Sequence, residues 1–163
     1  MNVSRVAEVL ETIAPLDHAE EWDNVGLLIG SRKWAAERIL LTIDLTERVL
    51  SEAIRGETQM IVSYHPPIFK KLKALTDETV KQRIALQAAG AGIAVFSPHT
   101  ALDAAPDGVN DWLAGAFGEG DVRALKVRMV QPSSEAYKIV TFCPAESVEQ
   151  VRNGMASMGA EIG

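Results

Sequence analysis

The sequence predicts an α/β domain with parallel strand pairing, and two observations carry that prediction. Short apolar runs alternate with amphipathic segments over roughly the first 120 residues, in the order strand, helix, strand, helix, strand, helix. Three of those apolar runs end in residues with ligand chemistry, Asp44, His65 and His99. Open α/β sheets place their chemistry at the carboxyl ends of strands, so the pattern fits the class.

Each element has a local cause. Residues 3–14 read as an amphipathic helix, because Val6, Val9, Leu10 and Ile13 recur at helical spacing and Pro15 stops the run. VGLLIG (25–30) reads as a buried strand or extended segment, and RILLTIDLT (38–46) as a strand ending at Asp44. Thr46 is placed to cap the helix ERVLSEAIRG, which Gly56 closes. QMIVSYH (59–65) is the next strand. Asp77 is expected to cap the helix in ETVKQRIALQAAGAG, whose Val80, Ile84 and Leu86 to Ala88 cover a broad apolar face. IAVFSPH (93–99) is another strand. Asp107 is expected to start a helix through GVNDWLAGAFG, closed by Gly118, with Trp112 and Phe117 in the core.

Composition narrows the function classes. A chain of 163 residues with 47% hydrophobic and 23% charged residues has the ordinary mix of a soluble globular protein and can bury a real core. A net charge of −6 argues against a broad nucleic-acid surface, and KKLK (70–73) is too short a basic run to overturn that. Cys143 is the only cysteine, so no internal disulfide forms, and its expected state is a small buried side chain rather than a nucleophile. No segment resembles a signal peptide or a membrane span, which predicts a cytoplasmic protein. A compositional break at VQPSSEAYK (130–138) reads as a linker before a strand, YKIVTFCP, and a helix, ESVEQVRNGMASMG. One strand and one helix bury little by themselves, so a second module is expected to begin here and to continue past Gly163.

The chemistry sits in VSYHPPIF (62–69) and SPHTALD (97–103). Imidazole and carboxylate at His65, His99 and Asp103 together suit a borderline cation such as zinc, iron or manganese. A helical turn after the strand would put His99 and Asp103 on one side, and Pro66, Pro67 and Pro98 stiffen the backbone around both histidines. On spacing alone the structural reading stands beside the functional one. A strand-end histidine commonly serves a hydrogen bond, Asp103 and Asp44 could cap turns, Trp22 beside Asp23 and Asn24 could be a packed indole, and His18 reads as a surface residue. P-loop, nucleophile-elbow and helical HExxH patterns do not occur.

EEWDNVGLLIG, VSYHPPIF and FSPHTALDAAPDGVNDWLA, taken together, resemble the dinuclear-metal family of GTP cyclohydrolase type 2 homologues, also called the NIF-three-like family. The resemblance covers residue 1 to about residue 120. It implies that 1–132 form the N-terminal half of a metal-binding domain and that 133–163 begin an inserted ferredoxin-like module. It implies metal ligation by His65 and Asp103, with His99 as ligand or near-site partner, and two divalent cations per site in the whole protein. It further implies a ring-like homo-oligomer, a hexamer, and a nucleotide or other small-molecule substrate. Two departures matter. Where the family often carries His-His, this chain has Tyr64 before His65, and a neutral phenol is a poor ligand. The family's late His-x-x-x-Glu motif is missing, so residues 1–163 alone are expected to hold metal weakly and to be inactive. The resemblance leaves open both a metal-dependent hydrolase and a non-catalytic metal-binding scaffold or regulatory interaction protein.

Overall fold

The computed structural model describes residues 1–124 and 141–158. The chain divides into two compact units, Met1–Leu125 and Lys126–Gly163. In chain order the first unit runs through helix α1 (Val3–Ile13), a 3-10 turn (Leu16–His18), strands β1 (Gly26–Ile29) and β2 (Ile39–Thr42), helix α2 (Glu47–Arg55), β3 (Met60–Ser63), α3 (Val80–Gly90), β4 (Ala94–Ser97), α4 (His99–Ala104) and α5 (Val109–Gly115).

Among the described residues these strands form one four-stranded sheet in the order β1-β4-β3-β2. β2 pairs parallel to β3 and β3 parallel to β4, as the alternation predicts. β1, which stands outside that alternation, runs antiparallel to β4, with Gly26 opposite Ser97. No helix lies between β1 and β2, and a parallel crossover within one sheet usually needs one. The antiparallel pairing brings the segment before β1 to the same edge as the carboxyl end of β4.

β3 and β4 are buried at every position, the mark of central strands covered on both faces. Alternate residues serve opposite layers. Ile61 and Val95 pack with Leu50 and Ala53 of α2 and with Ile84, Ala85 and Ala88 of α3. Met60, Ala94 and Phe96 pack on the other face against Val3, Val6 and Ala7 of α1. A third, small cluster of Ala14, Ala19, Ala101 and Ala105 seats α4 against the chain that leads to β1. At Gly30, φ is +103°, and an added Cβ would lie 2.9 Å from the Ala94 backbone, so a side chain there would push β1 off β4.

Several sequence expectations shift in detail. Thr46 and Gly56 bound α2 as predicted. α3 is capped by Thr79, not Asp77, because Thr79 and Gln82 form a reciprocal capping box. α5 starts after Gly108; Asp107 stands just outside it at φ +57°, its N–H donating to the Asp111 carboxylate. Trp112 and Phe117 are 76% and 93% exposed rather than core residues, since helical spacing marks an apolar face but not what covers it. His18 is not a free surface residue, because its Nδ1 is buried without a hydrogen-bond partner. In the second unit, a 3-10 turn (Ala145–Ser147) leads into α6 (Val148–Ser157), in line with the predicted helix. The linker and the start of the predicted strand YKIVTFCP lie outside the described residues; 141–144 carry no regular secondary structure, and Cys143 is only half-buried. Among the described residues no helix is long and apolar enough to cross a membrane.

Candidate functional site

The carboxyl ends of β2, β3 and β4 stand side by side, and the residues just past them form a row. The parallel ladder runs on beyond β3, with the N–H of Tyr64 donating to the Thr42 carbonyl and that of His65 to the Ile43 carbonyl, each at 2.9 Å. Two fully buried serines fix the same stretch: Ser63 Oγ donates to the His65 carbonyl and Ser97 Oγ to the Tyr64 carbonyl, each at 2.8 Å. Pro66 and Pro67 are buried immediately beyond. The backbone that carries Tyr64 and His65 is therefore held on both sides before any ligand arrives.

Across this edge the order is carboxylate, imidazole, imidazole, carboxylate. Asp44 Oδ1 lies 2.8 Å from His65 Nδ1, the His65 and His99 ring centroids are 5.7 Å apart, and His99 Nδ1 lies 2.8 Å from Asp23 Oδ1. An ionised carboxylate only accepts, so each Nδ1 donates and a neutral ring keeps its lone pair on Nε2. Among the described residues neither Nε2 has a hydrogen-bond partner, since the bonds of both rings run through Nδ1.

Asp23 is the anchor of the row. Its side chain is fully buried and accepts from the N–H of Asn24 at 2.7 Å, from His99, and from both the N–H and the hydroxyl of Thr100. Burial works to raise its pKa, but the bonds from the Thr100 hydroxyl, His99 and the two backbone N–H groups outweigh it, and the carboxyl sits below its ordinary 3.8. His99 itself adopts φ +33°, a left-handed conformation uncommon outside glycine, with Asp23 gripping both its ring and the following residue.

Asp103 lies on α4, one helical turn past His99. Its Oδ1 accepts a short hydrogen bond from the Tyr64 hydroxyl. The Tyr64 ring also stands 5.0 Å from His65 and 5.7 Å from His99, centroid to centroid. Burial, then the bond to Asp103 and the Asp103 and Asp23 charges, push the Tyr64 phenol up to about 12, so it is a neutral donor.

The family described as Duf34/NIF3 (NGG1p interacting factor 3) matches this chain over residues 1–161. The chain belongs to the NIF3 family. It is 45% identical over 131 residues to NIF3-like protein 1 of Drosophila melanogaster, a match covering 80% of this chain and 45% of that protein. It is 33% identical over 160 residues to the GTP cyclohydrolase 1 type 2 homolog of Bacillus subtilis, covering 98% of this chain and 42% of that one. Among solved structures, a Bacillus cereus protein related to NIF3 superposes with a TM-score of 0.67 at 35% identity, over 72% of this chain and 32% of that chain. The chain thus spans less than half the length of these NIF3 relatives.

In this NIF3 chain, the predicted ligands His65, His99 and Asp103 fall at one edge, but they do not meet as a single ligand set. His65 and His99 are neighbours, while Asp103 is joined to them through Tyr64. Among the described residues no three His, Cys, Asp or Glu side chains stand ready as a metal cage. The donor types nevertheless suit a borderline cation: two imidazoles whose far nitrogens are fixed by carboxylates, and one carboxylate oxygen that Tyr64 does not take. Asp44 is no mere turn cap, and Trp22 is no packed indole, being 61% exposed.

The phenol gives a direct check on this arrangement. Tyr64 is expected to ionise near 12, and in Asp103→Asn closer to 10; tyrosinate absorbance, assigned with Tyr64→Phe, reads both. Because its folded value is raised, Tyr64 stabilises fully below its unfolded value of about 10 and loses that contribution as pH rises through about 12.

Proposed function

We propose that this edge is the cation-holding part of a metal-dependent hydrolase, with His65, His99 and Asp103 as the protein's donors. The observation that carries the reading is the pair of carboxylate-backed imidazoles, His65 on Asp44 and His99 on Asp23, each with Nε2 unclaimed among the described residues. Carboxylate–imidazole pairs fix ring tautomer and orientation and raise ligand basicity, which is why they recur behind metal-binding histidines. A bound zinc, iron or manganese ion would polarise an electrophile and lower the pKa of bound water. The protein's own share is to hold both rings, to present the free oxygen of Asp103, and to keep a neutral phenol beside it. The Bacillus subtilis relative's name points to a nucleotide substrate such as GTP. The proposal carries with it a cytoplasmic, ring-like homo-oligomer and a ferredoxin-like second module.

Tyr64 supports the second reading, a metal-binding scaffold without turnover. Its hydrogen bond takes one of the two Asp103 oxygens, which leaves fewer donors for a second cation.

Metal analysis after dialysis tests the proposal. Residues 1–163 alone are expected to hold zinc weakly and a protein of its relatives' length to hold it through dialysis; in the latter His65→Ala and His99→Ala are expected to lose affinity by about a hundredfold or more, since even partners behind a ligand are worth about 10–100-fold. Tyr64→His is expected to raise the number of cations bound. Unchanged zinc affinity in both histidine variants contradicts the proposal. In the protein of its relatives' length, metal-dependent product release from GTP separates the hydrolase from the scaffold, which binds metal and releases nothing; residues 1–163 alone are expected to release nothing in either case.

A further inference from the structure

His99 stands at a joint that its own stretch of chain does not hold. It is the first residue of α4, its φ is +33°, and Pro98 before it gives the helix no side-chain cap. The core beneath α4 is a cluster of alanines, Ala14, Ala19, Ala101 and Ala105. Methyl groups fill space without direction, so this packing seats the helix but does not decide how the imidazole is turned. Directional bonds have to do that.

Thr100, the next residue, supplies them. Its N–H donates to Asp23 Oδ2 at 3.2 Å, and its hydroxyl donates to the same oxygen. The hydroxyl oxygen accepts in turn from the Glu20 N–H at 3.0 Å. These directions are forced, since a carboxylate only accepts and a backbone N–H only donates. The Asp23 N–H donates to the Glu20 carbonyl at 3.0 Å, so the chain before β1, the carboxylate and the start of α4 close into one ring of bonds. Asp23 thereby caps α4 from 77 residues away, a task Pro98 leaves undone.

The carboxylate held this way points straight at the imidazole. His99 Nδ1 lies 2.8 Å from Asp23 Oδ1 and 2.9 Å from Oδ2, and any tilt of the carboxylate would favour one oxygen over the other. The Asn24 N–H pins Oδ1 and Thr100 pins Oδ2. Without the Thr100 hydroxyl, Oδ2 keeps only the longer N–H bond on that side, and the Glu20 N–H loses its acceptor. The Asp23 side chain is fully buried, so water does not readily step in.

We propose that Thr100 is a positioning residue of the site, whose hydroxyl acts through Asp23 to fix the plane of the His99 ring and the proton on its Nδ1. The role deepens the hydrolase reading by naming what keeps one ligand nitrogen aimed outward. It rests on that reading for what Nε2 holds, not for the placement of the ring.

Nitrogen-15 and proton NMR of the metal-free protein tests this with Thr100→Val, which keeps the branched shape and removes the hydroxyl. In wild type the Thr100 hydroxyl proton and the His99 Nδ1–H are both expected as slowly exchanging signals. In Thr100→Val the His99 Nδ1–H is expected to exchange with water about tenfold faster, the scale of one hydrogen bond to a charged group. Part of the ring population is then expected to carry its proton on Nε2. Thr100→Ser restores donor and acceptor together and is expected to return both signals to their wild-type behaviour. His65, which bonds to Asp44, is expected to keep its wild-type signals throughout. In the protein of its relatives' length, Thr100→Val is expected to weaken zinc by about tenfold, the low end for a partner behind a ligand.

A wild-type Thr100 hydroxyl that exchanges freely with water overturns the proposal, and that measurement needs no variant to fold. An unmoved His99 signal in Thr100→Val overturns it even if that variant melts earlier. So does an equal change in both rings, which marks a general loosening. A His99 signal that responds to Thr100→Val in a protein that takes no zinc supports the positioning role and sinks the hydrolase reading. Zinc held equally by wild type and Thr100→Val, with His99 unchanged, overturns the role and leaves the hydrolase reading standing.

Discussion

Asp23→Ala is expected to destabilise the first unit by about 3 kcal/mol, within the range for breaking a buried, charge-assisted hydrogen-bond network. The substitution leaves four donors without an acceptor: the N–H groups of Asn24 and Thr100, the Thr100 hydroxyl and His99 Nδ1. The site is fully buried, so water does not readily replace the lost oxygens. For a protein of this size that corresponds to a drop in Tm of roughly 6–12 °C. The pH dependence has a definite sign. The Asp23 carboxyl sits below its ordinary value in the folded state, so its stabilisation is complete above about pH 4 and is lost as pH falls through the folded value. Urea unfolding of wild type and Asp23→Asn should therefore differ by a constant amount at neutral pH and converge in acid. A difference that is flat down to strong acid contradicts the assignment of Asp23 as the anchor.

Gly108→Ala is expected to cost a similar amount, about 3 kcal/mol, the upper range for forcing extra volume into a packed site. An added Cβ would lie 2.1 Å from the Leu102 carbonyl oxygen and 2.7 Å from that of Ala105. Both obstacles are backbone atoms, so no side chain can swing aside, and the carboxyl end of α4 has to move. Backbone dihedral freedom is not the issue here, since φ is −79°. Because Asp103 lies between Leu102 and Ala105, the effect should reach the site: the Tyr64 phenol is expected to fall from about 12 towards its ordinary 10 in this variant. Thermal unfolding and tyrosinate absorbance measure the two consequences separately. A variant with lowered Tm and an unmoved phenol would show that α4 yields without shifting Asp103.

Much of the arrangement was legible in the sequence because local rules and tertiary structure agree. Apolar runs at 60–63 and 94–97 became the two fully buried parallel strands, and parallel pairing put His65 and His99 at one edge. Their partners were not legible as such. Asp23 lies 76 residues from His99, and the two meet only because β1 is antiparallel to β4. A signal for that existed, since the short stretch from Gly30 to Arg38 contains no helix to carry a parallel crossover. Asp44 looked like a turn cap because a short polar residue before Thr46 fits one, and nothing local reveals an imidazole on the neighbouring strand. Tyr64 reads from sequence as a lost ligand; its hold on Asp103 depends on α4 reaching the residue just past the end of β3, a relation that spacing alone does not contain. Trp112 and Phe117 show the converse limit, as periodicity finds an apolar face but cannot say what covers it.

The account rests on two imidazoles held through Nδ1 with Nε2 turned to shared use. Nitrogen-15 NMR of the histidine rings, with His18 removed by substitution to simplify assignment, tests that most directly. In metal-free protein, His65 and His99 should both carry the proton on Nδ1, and both Nε2 signals should shift together as one equivalent of zinc is added. Protons on Nε2, or a zinc response confined to one ring, would contradict it.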